Sequence, residues 1–154
     1  REPQALDSVG ETVRETELSS MKWESASVGW KDPTRDFVPA DDGRRPEMPL
    51  ESGDGFHDTG LFAHATSSYV YNLDGKWTTF TSGYGLQNLI EGSVVFVVTC
   101  DGQERFRSKR VADWAEGRAK VDVTGVKQLE LIVEDAGDGD WGDLGIWFSP
   151  KLTR

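Results

Sequence analysis

Short runs of alternating apolar residues, separated by glycine-containing turn dipeptides, confine this chain to an all-β fold. Leu129, Leu131 and Val133 alternate with Glu130, Ile132 and Glu134, and Val121 and Val123 flank Asp122. Successive side chains of a strand point to opposite faces, so each such run presents one face to a core and one to water. Ser93 to Thr99 is almost continuously apolar, which predicts a strand buried on both faces. Asp101-Gly102 then turns the chain into Glu104 to Ser108 as a hairpin. Asp74-Gly75, between Ser68 to Leu73 and Trp77 to Thr81, predicts a second hairpin, and Thr124-Gly125 another turn. Met21 to Ser27 and Ile146 to Phe148 complete the strands, while Val111 to Gly117 reads as a single helical turn. Strands that each bury one face stack as two antiparallel sheets, so the expected fold is a β-sandwich of jelly-roll type. Phe80, Val95, Val97, Leu131, Val133 and Trp147 are its expected core residues.

At 154 residues the chain suits one domain. Six Trp, seven Phe and three Tyr concentrate its buriable area in a few large side chains. Residues 1–17 alternate charged and small polar types and read as a linker or loosely ordered arm, leaving 18–154 as the sandwich. Lys31 to Asp58 holds four of the six prolines and reads as a long surface loop.

A formal charge of -10 repels polyanions, so neither nucleic acid nor a membrane surface is an expected partner. Neutral sugars and Ca²⁺ are compatible with such a surface. Cys100 is the one cysteine, which excludes an internal disulfide framework and a cysteine zinc cluster; at the end of an apolar run it reads as a buried, inert thiol. No stretch approaches the roughly 20 apolar residues of a membrane span. Arg1 to Thr16 lacks the apolar segment of an export signal. The chain contains no G-x-S-x-G elbow, no H-E-x-x-H, no P-loop and no G-x-G-x-x-G after a strand. With 27 acidic residues some carboxylate pair meets by chance, so no catalytic function is expected.

One segment is more particular. Gly60-Leu61-Phe62-Ala63-His64-Ala65-Thr66-Ser67-Ser68-Tyr69-Val70-Tyr71-Asn72-Leu73-Asp74-Gly75-Lys76-Trp77-Thr78-Thr79-Phe80 resembles the central motif of the NPCBM/NEW2 domains, roughly G-L-G-x-H-A-x-S-x-I-x-Y-x-L-x-G-x-Y-x-x-F. Trp23 to Trp30 near the start, and Val121 to Gly125 through Asp135 to Gly139 near the end, resemble the same family, so the likeness spans about Leu18 to Leu152. The resemblance implies a galactose-binding-like jelly roll: a non-catalytic, carbohydrate-binding accessory domain for galactose-containing glycans, joined to other domains of a larger bacterial protein. It implies an extracellular or cell-surface setting. Two positions depart from the family pattern. Gln87-Asn88 stand where an acidic pair is common, and Asp143-Leu144-Gly145-Ile146-Trp147 replaces Asp-His-Ala-Asp-Trp. These departures support an alternative reading, a structural or protein-interaction sandwich that has lost its sugar site.

A pyranose offers an apolar C–H face and a ring of hydroxyls, so its site needs an exposed aromatic plane beside fixed hydrogen-bonding groups. Trp30, near Arg35 and Asp36, and Trp141, within a Gly/Asp-rich loop, are the tryptophans least suited to a core. Trp23, Trp77 and Trp147 sit in strand patterns and read as core. His64 stands at the motif's histidine and is either a buried, satisfied imidazole or a sugar ligand; His57 has no motif context and reads as a loop residue. The candidate sugar-binding set is therefore Trp30, Arg35, Asp36, His64 and Trp141. Asp135, Asp138, Asp140 and Asp143 gather four carboxylates in nine residues, either a solvated turn or the ligands of a structural Ca²⁺.

Overall fold

The computed structural model describes residues 13–40, 47–53, 55–87, 92–112, 115–137 and 143–154. One sheet contains β1 (Glu15–Glu17), β6 (Gly60–His64), β8 (Thr79–Leu86), β12 (Glu116–Asp122) and β14 (Leu144–Thr153). β14 is its centre. One flank pairs with β8, and the other pairs first with β6 and then, past a bulge after Phe148, with β1. The facing sheet runs in the order β10 (Gln103–Arg107), β9 (Ser93–Cys100), β13 (Gln128–Asp135), β7 (Ser67–Asn72) and β2 (Ser25–Ser27), with β11 (Val111–Ala112) on the edge of β9. Among the described residues every pairing is antiparallel. The expected β-sandwich is the observed fold.

Between the sheets, Leu129, Leu131 and Val133 of β13 face Phe80, Leu86, Trp147 and Leu152, all at most 1% exposed. β9 contributes Val94, Phe96 and Val98 to this core, whereas Val95 is only half-buried. A continuous apolar run carries no parity, and the cross-strand register that decides which residues point inward is visible only in the fold. Val97 is buried, as expected. Cys100 is buried as a free thiol, and burial raises its pKa above the ordinary value.

Three local readings need correction. Asp101-Gly102 closes the β9–β10 hairpin with φ of 50° and 80°, and Asp74-Gly75 adopts nearly the same angles, 57° and 71°. Yet β7 pairs with β13 and β2, while β8 pairs with β12 and β14, so the second turn joins the two sheets and makes no hairpin. Buried Trp77, in the coil before β8, anchors that crossing. Among the described residues of 111–117, Val111–Ala112 form β11 and Glu116–Gly117 begin β12, with no helical turn. Within residues 31–58, the chain forms β3 (Phe37–Val38), β4 (Met48–Ser52) and β5 (Gly55–His57), a small sheet that places Val38 and Leu50 on Phe62, Leu144, Ile146 and Phe148 as a second apolar cluster. Of the 1–17 arm, Glu15–Glu17 pairs with the end of β14.

Candidate functional site at one end of the sandwich

The register brings the ends of several strands to one edge of the molecule. Leu144 lies opposite His64, Gly145 opposite Leu86, Asp135 opposite Val94 and Ser27 opposite Ser68. The chain segments leaving Ser27, His64, Leu86 and Asp135 therefore emerge together. Backbone bonds tie them: Gly29 N–H donates to His64 O at 3.0 Å, Ala65 N–H to Asp143 O at 2.9 Å, and Gln87 N–H to Leu144 O at 2.8 Å. Gly29 is required by this closeness, because a Cβ there would stand 2.0 Å from the Ala65 carbonyl oxygen.

His64 is buried, 6% exposed, and its Nδ1 lies 2.7 Å from Ala65 O. A carbonyl only accepts, so Nδ1 donates this bond, and in the corresponding tautomer Nε2 is the acceptor. Among the described residues no hydrogen bond engages Nε2. The Trp30 ring lies 6.1 Å from the imidazole and 6.2 Å from Phe62, half-buried, with Lys31 Nζ 5.5 Å from the indole centroid. An aromatic surface and a fixed acceptor thus stand side by side, as pyranose recognition requires.

Arg35 and Asp36 are placed at the far end of β6. Arg35 bridges to Leu61, its guanidinium lies 3.5 Å over the Trp23 ring, and Nη2 donates to Met21 O at 3.4 Å. Asp36 Oδ1 accepts the Gly60 N–H at 2.9 Å. Both secure the segment that leads from Trp30 back to β6. Trp141, Asp138 and Asp140 lie outside the described residues. Asp135 Oδ1 accepts the Gly137 N–H at 2.9 Å, a local turn bond, and buried Asp143 accepts the Ser93 N–H at 2.9 Å. Among the described residues no three His, Cys, Asp or Glu side chains gather as a metal site.

Of the residues that depart from the family pattern, Gln87 and Leu144 serve packing here, and Asn88 lies outside the described residues. The Gln87 amide donates to Pro49 O at 3.2 Å and accepts the Glu51 N–H at 3.1 Å, a pairing that needs both a donor and an acceptor and so excludes a carboxylate. Leu144 belongs to the second apolar cluster. Sequence reasoning also missed a cluster beneath the small sheet. His57 stacks on Phe148 at 3.9 Å, its Nε2 lies 2.7 Å from Ser52 Oγ, and Ser52 bonds Glu116. The members come from four strands, so no local pattern announces them.

Asp36 offers a pH test of this packing. Burial holds its carboxyl above the ordinary aspartate value, and Glu17 repulsion adds to the effect, outweighing the Gly60 N–H, Ser19 and Arg35, which pull it down. An acid whose pKa is raised on folding contributes stability that is fully present below its unfolded pKa and is lost as pH rises through the folded value. Asp36→Asn keeps an oxygen for Gly60 and tolerates the left-handed φ of 69°. It is expected to melt higher than the parent at pH 7, with the difference vanishing below about pH 4. Thermal melts across that range check it.

The fold is that of an accessory β-sandwich module. The NPCBM/NEW2 domain model matches residues 14–153, and the chain belongs to that family. It is 28% identical to the second CBM51 module of *Clostridium perfringens* ZmpB, solved with GlcNAc and INT domains, at a TM-score of 0.77 over 92% of this chain and 32% of that one. It is 27% identical to the CBM51 of *C. perfringens* GH95 solved with methyl-galactose, at a TM-score of 0.73 over 90% of this chain and 99% of that one. A further structure, 26% identical with a TM-score of 0.78, holds the ZmpB M60 catalytic domain beside its CBM51 modules; the match covers 92% of this chain and 15% of that one. None of the curated proteins matches. The chain is a non-catalytic, carbohydrate-binding type of module, and it spans about a third of the first of these structures.

Proposed function

We propose that this module binds galactose-type glycans at the His64 end and holds a larger, enzyme-bearing protein on them. The observation that carries this reading is the half-buried Trp30 ring beside His64 Nε2. A galactoside's axial 4-hydroxyl leaves several C–H groups together on one face, which suits an indole, while a sugar hydroxyl donates to Nε2. Trp141 remains a sequence candidate for the same site, and Arg35 and Asp36 act by holding the Trp30 segment in place. The methyl-galactose and GlcNAc complexes of the two *C. perfringens* modules support a sugar ligand and differ in which one. A glycan array of galactose-, N-acetylglucosamine- and fucose-terminated structures tests the proposal. Retention on galactose-terminated glycans is expected; retention only on another sugar overturns the specificity, and no retention favours the structural sandwich.

A Ca²⁺ ion on the 135–143 loop is part of the same proposal, held by carboxylate oxygens of Asp135, Asp138, Asp140 or Asp143. Four like charges in nine residues repel one another, and a divalent ion would relieve that repulsion. Binding to the folded state alone raises stability. Excess Ca²⁺ should therefore raise the melting midpoint above that in chelator; equal midpoints would mean a solvated turn.

A further inference from the structure

Trp30 carries the proposed sugar stack, and a neighbouring side chain already lies on its ring. Lys31 Nζ stands 5.5 Å from the indole centroid, within the roughly 6 Å reach of a cation–π contact. Lys31 is half-buried, whereas a surface lysine ordinarily extends into water. Successive side chains of an extended strand point to opposite sides, so Trp30 and Lys31 would not meet on a strand. The left-handed backbone at Lys31, φ 61°, folds this side chain back over its neighbour. A residue with a Cβ takes that conformation at a cost, and such costs gather at binding sites.

The indole has one open side. Trp30 packs on the second apolar cluster and meets Phe62 in a T-shaped contact at 6.2 Å. An ammonium gains nothing from an apolar surface and keeps its hydration, so Lys31 covers the side that faces solvent. That is the side a pyranose must reach beside His64, whose ring is 6.1 Å away. The negative potential of the indole face draws an ammonium directly and the polarised C–H groups of a sugar more weakly. Ammonium and sugar therefore compete for the same surface.

We infer that Lys31 is a lid on the sugar site. In the free module its ammonium holds the place on the Trp30 face that a neutral galactoside takes, and binding exchanges one for the other. The inference rests on the galactoside reading of the His64 end. It gives Lys31 a sign opposite to that of an ordinary ligand residue: the contact it makes in the free state is lost on binding, so its removal strengthens binding. A sugar that lays a broad C–H face on the indole replaces that contact, and one that reaches only the His64 acceptor does not.

The test has two arms. The first reads the lid without sugar, from the ε-methylene resonances of Lys31 in ¹³C-labelled protein. They are expected upfield of ordinary lysine values through the indole ring current, to return to ordinary values in Trp30→Leu, and to do the same in the parent saturated with methyl-galactose. The second arm is a calorimetric titration with methyl-galactose. Lys31→Asn suits the left-handed backbone and is too short to cover the ring, so it should bind about two- to fivefold more tightly than the parent, the factor that a solvent-exposed cation–π contact represents. Lys31→Arg keeps a cation over the indole and should bind no more tightly than the parent. Binding by Lys31→Asn alone would support the lid equally. No binding by the parent or by Lys31→Asn removes the galactoside site and the lid with it. Binding that Lys31→Asn weakens or leaves unchanged, a gain shared by Lys31→Arg, or an ordinary Lys31 signal in the free parent overturns the lid and leaves the galactoside site standing.

Discussion

Replacing Trp147 by alanine is expected to destabilise the module by about 3 to 5 kcal/mol. Trp147 is fully buried in the middle of β14, the strand that joins β6, β1 and β8 into one sheet. Its ring meets Phe96 edge-on at 5.0 Å and Tyr84 at 6.3 Å, so it bridges the two sheets. Removing it forfeits the transfer energy of the indole and leaves a cavity that a rigid sandwich closes only in part. Stability of domains this size is about 5 to 15 kcal/mol, so the variant should be partly unfolded or nearly so at 37 °C. Urea unfolding followed by far-ultraviolet circular dichroism measures it. A loss below about 1 kcal/mol would mean that the two sheets do not depend on this contact.

The largest expected effect on binding comes from His64. His64→Ala should weaken a galactoside by about 1 to 3 kcal/mol, or roughly 5- to 150-fold, because a hydroxyl that donated to Nε2 loses its partner in a partly dry site. The same change also removes the Nδ1–H bond to Ala65 O, so thermal stability should fall as well. His64→Asn separates the two effects. Its amide nitrogen stands near the place of Nδ1 and can donate to Ala65 O, while nothing replaces Nε2. Stability should recover in part and binding should not. A calorimetric titration with methyl-galactose, alongside melting curves, reads both; full binding by His64→Asn would remove Nε2 from the site.

The alternating strands were readable because each places half of its side chains in a core. β13 has Leu129, Leu131 and Val133 inward, as its alternation predicts. Sheet membership was less readable. Asp74-Gly75 and Asp101-Gly102 take almost the same backbone angles, but a turn dipeptide specifies only its local bend. Whether the next strand returns to the same sheet depends on distant partners, here β12 and β14 for β8. The small sheet of β3, β4 and β5 was hidden by prolines and charges, since its burial rests on a few residues such as Phe37, Val38 and Leu50. At the site, a motif singled out His64, and its closeness to Trp30 depends on the Gly29–His64 contact. Trp77 is buried in the core, as its strand context predicts, and Trp23 packs against that core.

The location of the glycan site is tested most directly by the backbone amide spectrum of the ¹⁵N-labelled module titrated with methyl-galactose. Perturbations are predicted at Gly29, Trp30 and Lys31, at His64 to Thr66, and at Asp143 to Gly145, the segments held together by the Gly29–His64 and Ala65–Asp143 bonds. The turns at Asp101-Gly102 and Thr124-Gly125, at the other end of the sandwich, should not move. Saturating sugar that leaves the Gly29, His64 and Leu144 amides in place, or shifts only residues away from that end, would contradict a galactoside site there.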